Sequence, residues 1–184
     1  MAPYSSVPGG PCHGRWVTEL DLLEIKGRIA VALVESIFRR AGFALTPVTA
    51  VEAVPRPGRD ELLPDFRAVR AAGAPGAPPA PARLVEVRYR PQIAQYVDIE
   101  LQRGSQSVFA MAARHWPDLL FALVTDHPEP GRSCFQVVDL AGWTVGSPVA
   151  AQDLHAHQAL DVFRHNVEEH EVLLRRMFVL LTGG

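Results

Sequence analysis

Residues 61–90 limit the fold of this chain more than any other stretch, because two apolar runs flank a spacer of Pro, Gly and Ala. The first run covers residues 62–70 and the second covers residues 83–90. Both runs contain β-branched or bulky side chains and are bounded by turn formers, a pattern that predicts two β-strands. The spacer, residues 71–82, has too many prolines for a helix or an inner strand. It is therefore predicted to form a long, semi-stiff hairpin loop.

Each predicted strand carries a carboxylate where a buried strand would normally have an apolar side chain, Asp65 in the first and Glu86 in the second. A buried, unpaired carboxylate is costly. Two of them on neighbouring strands repel each other unless a cation or a proton lies between them. Arg88 follows Glu86 by two residues, so both side chains point to the same face of the strand. A metal held by carboxylates beside a fixed cation suits the hydrolysis of a phosphodiester.

The residues around these carboxylates resemble a known motif. Residues 63–66 read Leu-Pro-Asp-Phe and residues 85–90 read Val-Glu-Val-Arg-Tyr-Arg. Together they resemble the PD-(D/E)XK motif of the restriction-endonuclease-like superfamily, with Pro64 and Asp65 as its first half. Residues 86–88 match its second half, with Arg where the superfamily has Lys.

The resemblance implies a metal site and a nuclease activity. Asp65, Glu86 and the main-chain carbonyl of Val87 would bind Mg²⁺ or Mn²⁺, ions that prefer hard oxygen ligands. Asp65, Glu86 and Arg88 would be the catalytic residues. An arginine cannot act as a base, but it can stabilise developing negative charge. Seventeen of the eighteen Lys and Arg residues are arginine, so Arg in place of Lys at position 88 is a tolerable substitution.

The first helix departs from the family pattern. Related nucleases often carry an acid after a Gly-Arg-Ile-Ala sequence, but Val31 occupies that position here. Glu24 and Glu35 lie on the same side of the helix and are alternative acids. Lys26, the only lysine, is either a displaced catalytic lysine or, as we expect, an exposed residue without a role.

The order of predicted elements also agrees with the resemblance. Apolar spacing predicts helices at the start and end of the chain and a second helical region in its middle, capped by Ser105 or Ser107. The continuous apolar run from Leu119 is typical of a central, buried strand. The predicted helices cover residues 19–41, 92–116 and 152–181, and the predicted strands cover residues 43–54, 62–70, 83–90, 119–125 and 134–140. The resulting α/β fold has the αβββαβ core of restriction endonucleases, a mixed central sheet flanked by helices, plus a C-terminal helix.

Composition and length suggest one domain. Residues 1–18 are predicted to be a flexible arm, residues 19–145 the nuclease-like domain, and residues 146–184 its C-terminal helical extension. No apolar run is long enough to span a membrane, and no signal-peptide pattern is present, so the expected location is the cytoplasm. Cys12 and Cys134, the only cysteines, do not make a disulfide framework.

Several other polar residues are predicted to have no catalytic role. Cys12 and His13 lack a second pair of metal ligands. Asp126, His127 and Asp139 are read as ordinary turn residues at strand ends. The remaining histidines are expected to be solvated, because no carboxylate or Cys converges on them: His155, His157, His165 and His170.

Two functions remain open from the sequence. The first is a metal-dependent nuclease in repair, restriction or defence, acting on nucleic acid, with DNA favoured over RNA. The second is a catalytically inactive member of the same fold that binds nucleic acid or protein within a larger complex. A net charge of −2 gives no broad basic footprint, although Arg83, Arg88 and Arg90 could form a local one. The C-terminal helix either packs on its own domain or forms a homodimer or another protein interface.

Overall fold

The computed structural model describes residues 19–49, 54–56, 59–70 and 82–183, with side chains omitted for residues 19–21, 54–56 and 59–61. The predicted arm, including Cys12 and His13, and the spacer up to residue 81 lie outside these residues. The helices are α1 (Glu19–Arg40), α2 (Ile93–Gln102), α3 (Val108–His115) and α4 (Arg164–Thr182). The strands are β1 (Phe43–Pro47), β2 (Val54–Arg56), β3 (Arg59–Leu62), β4 (Phe66–Arg70), β5 (Arg83–Tyr89), β6 (Leu119–Val124), β7 (Phe135–Asp139) and β8 (Gln152–Asp153).

Six strands form one mixed sheet in the order β1-β4-β5-β6-β7-β8. Only the β5–β6 pair is parallel, and its crossover passes through α2 and α3. The other neighbouring pairs are antiparallel. Strands β2 and β3 form a separate two-stranded hairpin. The α/β class and the mixed sheet flanked by helices therefore agree with the prediction from sequence.

Two apolar cores cover the two faces of the sheet. One core contains α1, α4 and the side chains of Val85, Val87 and Tyr89 on β5. The other contains α2, α3 and residues such as Phe109 and Phe121. Every residue of β6 is buried, as predicted for a central strand. The sheet thus lies between two helical layers.

The first helix forms as predicted. Its apolar positions recur every three or four residues, so they share one face, and Ala30, Val34 and Ile37 are fully buried. The helix ends where Gly42 adopts a positive φ of 85°, a conformation that glycine reaches without strain.

Two predicted strand boundaries are wrong. The strand predicted over residues 43–54 ends at Pro47, and residues 54–56 belong to the separate hairpin. The strand predicted over residues 62–70 is interrupted between Leu62 and Phe66, since Pro64 has no N–H to donate to a neighbouring strand. Asp65 consequently lies in the bend before β4.

The middle helical region is two helices. A short 3-10 turn at Gly104–Gln106 separates α2 from α3, and Gly104 has a positive φ of 54°. Of the two predicted capping residues, Ser107 is the one that acts, because its side chain accepts a hydrogen bond from the N–H of Phe109. Buried Glu100 accepts a second bond from the N–H of Val108 at 2.8 Å.

The C-terminal helix is shorter than predicted. Residues 152–153 form β8 and residues 154–156 form a 3-10 turn, so α4 begins only at Arg164. One face of α4 packs on its own domain, as expected, and Val167, Leu174 and Phe178 lie in the core that also contains α1. Within the described ranges, no helix is long and apolar enough to cross a membrane.

Candidate functional site

Strand β5 places Glu86 and Arg88 on the face of the sheet that carries α2 and α3. Side chains alternate along a strand, and Val85, Val87 and Tyr89 point into the opposite core. Glu86 is only 6% exposed. Arg88 donates from an Nη atom to Oε1 of Glu86 at 2.5 Å. The predicted pair therefore exists, buried on one face of the strand.

Two main-chain contacts with β5 fix Asp65. Its N–H donates to the carbonyl of Val85 at 2.9 Å, and its Oδ2 accepts the N–H of Val87 at 2.7 Å. The N–H and C=O of one strand residue point to the same neighbouring strand. The carbonyl of Val87 is thus directed toward the side of Asp65. Asp65 therefore lies beside the segment of β5 that contains Glu86 and Val87.

Burial disfavours the ionised form of both carboxyl groups, Asp65 and Glu86. Desolvation, helped by the nearby charge of Asp65, raises the pKa of Glu86 to about 7 against the opposing charge and hydrogen bond of Arg88. Desolvation also raises the pKa of Asp65, against the hydrogen bond from Val87 and the charge of Arg88. Two acids that repel each other in a buried place favour a cation between them. We call Asp65, Glu86 and Arg88 the carboxylate site.

Three buried polar atoms around this site have no hydrogen-bond partner: Oε2 of Glu86, Nε of Arg88 and the hydroxyl of Tyr96. Buried polar groups are nearly always paired, so this concentration is unusual. It supports a bound ion, water or ligand group at this place. An unpaired carboxylate oxygen on Glu86 is also the donor chemistry that Mg²⁺ or Mn²⁺ requires, and the residues fit such an ion.

Tyr96 and Arg90 extend the carboxylate site toward α2, and the tyrosine was not predicted from the sequence. The guanidinium of Arg90 lies over the ring of Tyr96, 4.5 Å from its centroid. Desolvation raises the pKa of Tyr96, and the charges of Arg88 and Arg90 oppose it. The signal available in the sequence was an aromatic residue in the first turn of the helix that follows Glu86 and Arg88.

Both alternative acids on α1, Glu24 and Glu35, are engaged in ion pairs. Val31 is partly buried against the core, and Glu24 pairs with Arg28 on the exposed surface. Glu35 is the acid nearer the carboxylate site, since its charge raises the pKa of Asp65, but it forms an ion pair with Arg39 at 2.8 Å. Among the described residues, no group of three or more His, Cys, Asp or Glu is arranged to hold a metal.

Lys26 is buried, which corrects the prediction of an exposed lysine without a role. Its Nζ donates to Oδ2 of Asp126 at 2.8 Å and to the hydroxyl of Tyr89 at 3.2 Å. It also lies 4.7 Å from the ring centroid of Phe178. These partners belong to the α1 and α4 side of the sheet. Lys26 therefore ties the helices to the sheet, and none of the contacts described for it reaches Glu86.

Asp126 is a member of this cluster and not a simple turn residue. The hydroxyl of Tyr89 donates to its Oδ1 at 2.6 Å, and exposed His127 contacts the same oxygen at 3.0 Å. Burial alone would raise the pKa of Asp126, but the bonds from Lys26, Tyr89 and His127 lower it to about 2. The carboxylate is thus held ionised.

Two histidines are buried, against the prediction that all are solvated. His157 contacts Oδ2 of Asp139 through Nε2 at 3.0 Å, and Arg83 contacts the other oxygen of Asp139 at 3.3 Å. Asp139 is therefore a paired residue as well, and Arg83 is engaged in this cluster. The pKa of Asp139 is lowered, because the contacts with His157, the Ala141 N–H and Arg83 outweigh the effect of burial.

The other buried histidine joins α4 to α1. The Nδ1 of His170 lies 2.7 Å from the carbonyl oxygen of Asn166, and its Nε2 lies 2.9 Å from Oγ of Ser36. The contact with Ser36 joins the two helices, and the contact with Asn166 lies within α4. His165 is exposed, as predicted, and His155 is half-buried.

Comparisons with protein-family models, with curated proteins and with solved structures found no match for this chain.

Proposed function

We propose that this chain is a metal-dependent nuclease with a restriction-endonuclease-like core. The order of its elements supports the proposal. When the β2–β3 hairpin is treated as an insertion, the chain runs through one helix, three antiparallel strands, a helical crossover and a parallel strand. Asp65 directly precedes β4, and Glu86 and Arg88 lie within β5.

The observation that carries the proposal is the unpaired Oε2 of buried Glu86 beside Asp65. A carboxylate that only supported the fold would have both oxygens paired. Leaving a buried polar atom without a hydrogen bond costs about 1–3 kcal/mol, and the cost is larger for a charged group. The charge of Asp65 adds to this cost. A divalent cation between the two acids would relieve both effects.

Each residue of the carboxylate site would have a separate role in the proposed reaction. When bound, Mg²⁺ or Mn²⁺ would supply an activated water and polarise a phosphoryl oxygen. Asp65 and Glu86, with the Val87 carbonyl, would hold the ion. Arg88 would stabilise the negative charge that develops on the phosphate.

A second candidate function has its own supporting observation. Arg88 already pairs with Glu86 at 2.5 Å, so the guanidinium neutralises part of the charge that would attract a metal. Such internal pairing of the acid with an arginine is expected in an inactive module of the same fold that binds nucleic acid or protein. The two candidates differ in whether Asp65 and Glu86 bind a divalent ion.

The substrate class that suits the site is nucleic acid, with DNA favoured. Arg88 and Arg90 provide positive charge beside the carboxylates, and Tyr96 provides an aromatic ring of the kind on which bases stack. We further propose that the chain acts on nucleic acid in the cytoplasm.

A thermal-shift experiment tests the metal site without requiring a substrate. Mn²⁺ or Mg²⁺ should raise the melting temperature of the wild-type protein, because a ligand that binds only the folded state stabilises it. Asp65→Asn should abolish the shift. Asp118→Asn, which changes an exposed aspartate, is the matched control and should retain it. A shift of equal size in all three proteins would refute the site.

A further inference from the structure

The side of α4 that points away from its own domain carries large, exposed apolar side chains. Leu180 is 82% exposed, Val179 57%, Val172 48% and Leu173 44%. Contiguous exposed apolar surface of this kind usually marks an interface. We call this surface the outer face of α4, and it comprises Glu169, Val172, Leu173, Arg176, Val179 and Leu180.

Opposite charges lie symmetrically within the outer face of α4. Glu169 and Arg176 are seven residues apart, a distance of about 10 Å along a helix, and Val172 and Leu173 lie midway between them. Arg176 is exposed and has no ion pair among the described residues. Glu169 has one partner, exposed Arg40 at 2.7 Å. The pattern is self-complementary when it is turned through 180°.

We propose that the outer face of α4 packs antiparallel on the same face of a second copy of this chain. The two-fold axis passes between Val172 and Leu173. Such an axis pairs each residue with one at the mirrored position, so Glu169 of each copy faces Arg176 of the other. Two ion pairs then flank an apolar centre, which is the arrangement of an isologous interface.

The axis also fixes which residues face each other at the ends of the helix. Leu180 of one copy lies opposite His165 in the first turn of α4 of the other copy, and both side chains are exposed. A parallel pairing would instead place Glu169 against Glu169 and Arg176 against Arg176, so like charges would oppose it.

Sedimentation velocity across protein concentrations of about 1–100 μM tests this dimer. The wild-type chain should sediment as a dimer at the upper end of the range. R176E and E169R should each weaken the dimer about tenfold or more, because each creates two like-charge contacts. R114E, which reverses an exposed arginine on α3, is the matched control and should leave the dimer intact.

Mixing the two variants makes the test specific for the proposed contacts. An equimolar mixture of R176E and E169R should form a heterodimer, since both ion pairs are then complementary again. The double variant E169R/R176E should recover the homodimer. A monomeric wild-type chain, or a dimer that none of these reversals weakens, would overturn the proposal. Unchanged circular dichroism spectra would show that the variants are folded.

Discussion

Glu86 and Arg88 lie two residues apart on β5 and share one hydrogen bond at 2.5 Å, while the second carboxylate oxygen of Glu86 has no partner among the described residues. The arginine therefore pairs with one of the two carboxylate oxygens. The charge of Asp65 adds to the cost of ionising this acid. In the function proposed above, a divalent metal ion would pair with the second oxygen.

Glu86 should make the metal-free protein less stable as pH rises. Burial raises its pKa from 4.5 to about 7, so between these values the folded state binds more protons than the unfolded state. The stabilising contribution is complete below the unfolded pKa and is lost as pH rises through the folded pKa. Each pKa unit corresponds to about 1.4 kcal/mol, which gives a change of roughly 3 kcal/mol.

Urea unfolding of the wild type and Glu86→Gln at about pH 5 and pH 8 measures this contribution. The difference in unfolding free energy between the two proteins should change in favour of the variant at the higher pH. Metal must be removed with a chelator. Parallel pH dependences for the two proteins would show that Glu86 is not destabilised by burial.

Removing the charge of Arg88 should raise the pKa of Glu86 above about 7, because the guanidinium is the main group that lowers it. Arg88→Met tests this expectation, with Arg88→Lys as the control that keeps a positive charge. Carboxyl-carbon NMR titration of Glu86 reports the pKa directly. An unchanged titration in Arg88→Met would contradict the pairing seen in the structure.

Lys26→Met should destabilise the fold by about 3 kcal/mol, because it leaves the charge of Asp126 buried beside Tyr89 without its cation. The loss should be smaller in an Asp126→Asn background. Mn²⁺ binding should persist in Lys26→Met, since this cluster lies on the other face of the sheet. Arg28→Met, which breaks an exposed pair, is the control and should have little effect.

The same cluster predicts acid sensitivity. The pKa of Asp126 is lowered to about 2, so its contribution to stability is present above its ordinary pKa of 3.8 and is lost as pH falls through about 2. Wild type should lose more stability than Asp126→Asn over this interval in acid titrations followed by circular dichroism. Equal losses would show that Asp126 is not held ionised.

Tyr96→Phe separates a structural role from a ligand-binding role. The hydroxyl of Tyr96 is buried without a well-formed hydrogen bond, and its contact with Arg90 lowers its pKa only weakly, so its removal should change stability by no more than about 1 kcal/mol. Affinity for nucleic acid should fall, because the hydroxyl is free to contact a bound group. A loss of stability together with unchanged affinity would assign the hydroxyl a purely structural role.

Local patterns in the sequence were sufficient to predict the α/β class and most elements. Apolar spacing predicted α1, and the continuous apolar run predicted β6, because both signals depend on neighbours along the chain. The predicted start of α4 was wrong. Residues 152–153 pair with β7 and residues 154–156 form a 3-10 turn before the helix begins. That choice depends on a contact with a distant strand, which periodicity does not reveal.

The candidate site was predicted in part for the same reason. Asp65, Glu86 and Arg88 could be found because they interrupt apolar runs. The roles of Lys26 and His157 could not, since each is stabilised by an aspartate that is distant in the sequence, Asp126 and Asp139 respectively. A lone polar residue on a predicted helix or turn gives no sign of such a partner.

Cleavage of nucleic acid is the measurement that tests the central claim most directly. Wild type, Glu86→Gln and the exposed control Asp118→Asn are incubated with single- and double-stranded DNA and RNA, with Mg²⁺ or Mn²⁺ or with a chelator. We predict metal-dependent cutting by wild type and Asp118→Asn, and a loss of about 100-fold or more in Glu86→Gln. Absence of cutting by a wild-type protein that binds the same nucleic acids would contradict the nuclease and favour the inactive module.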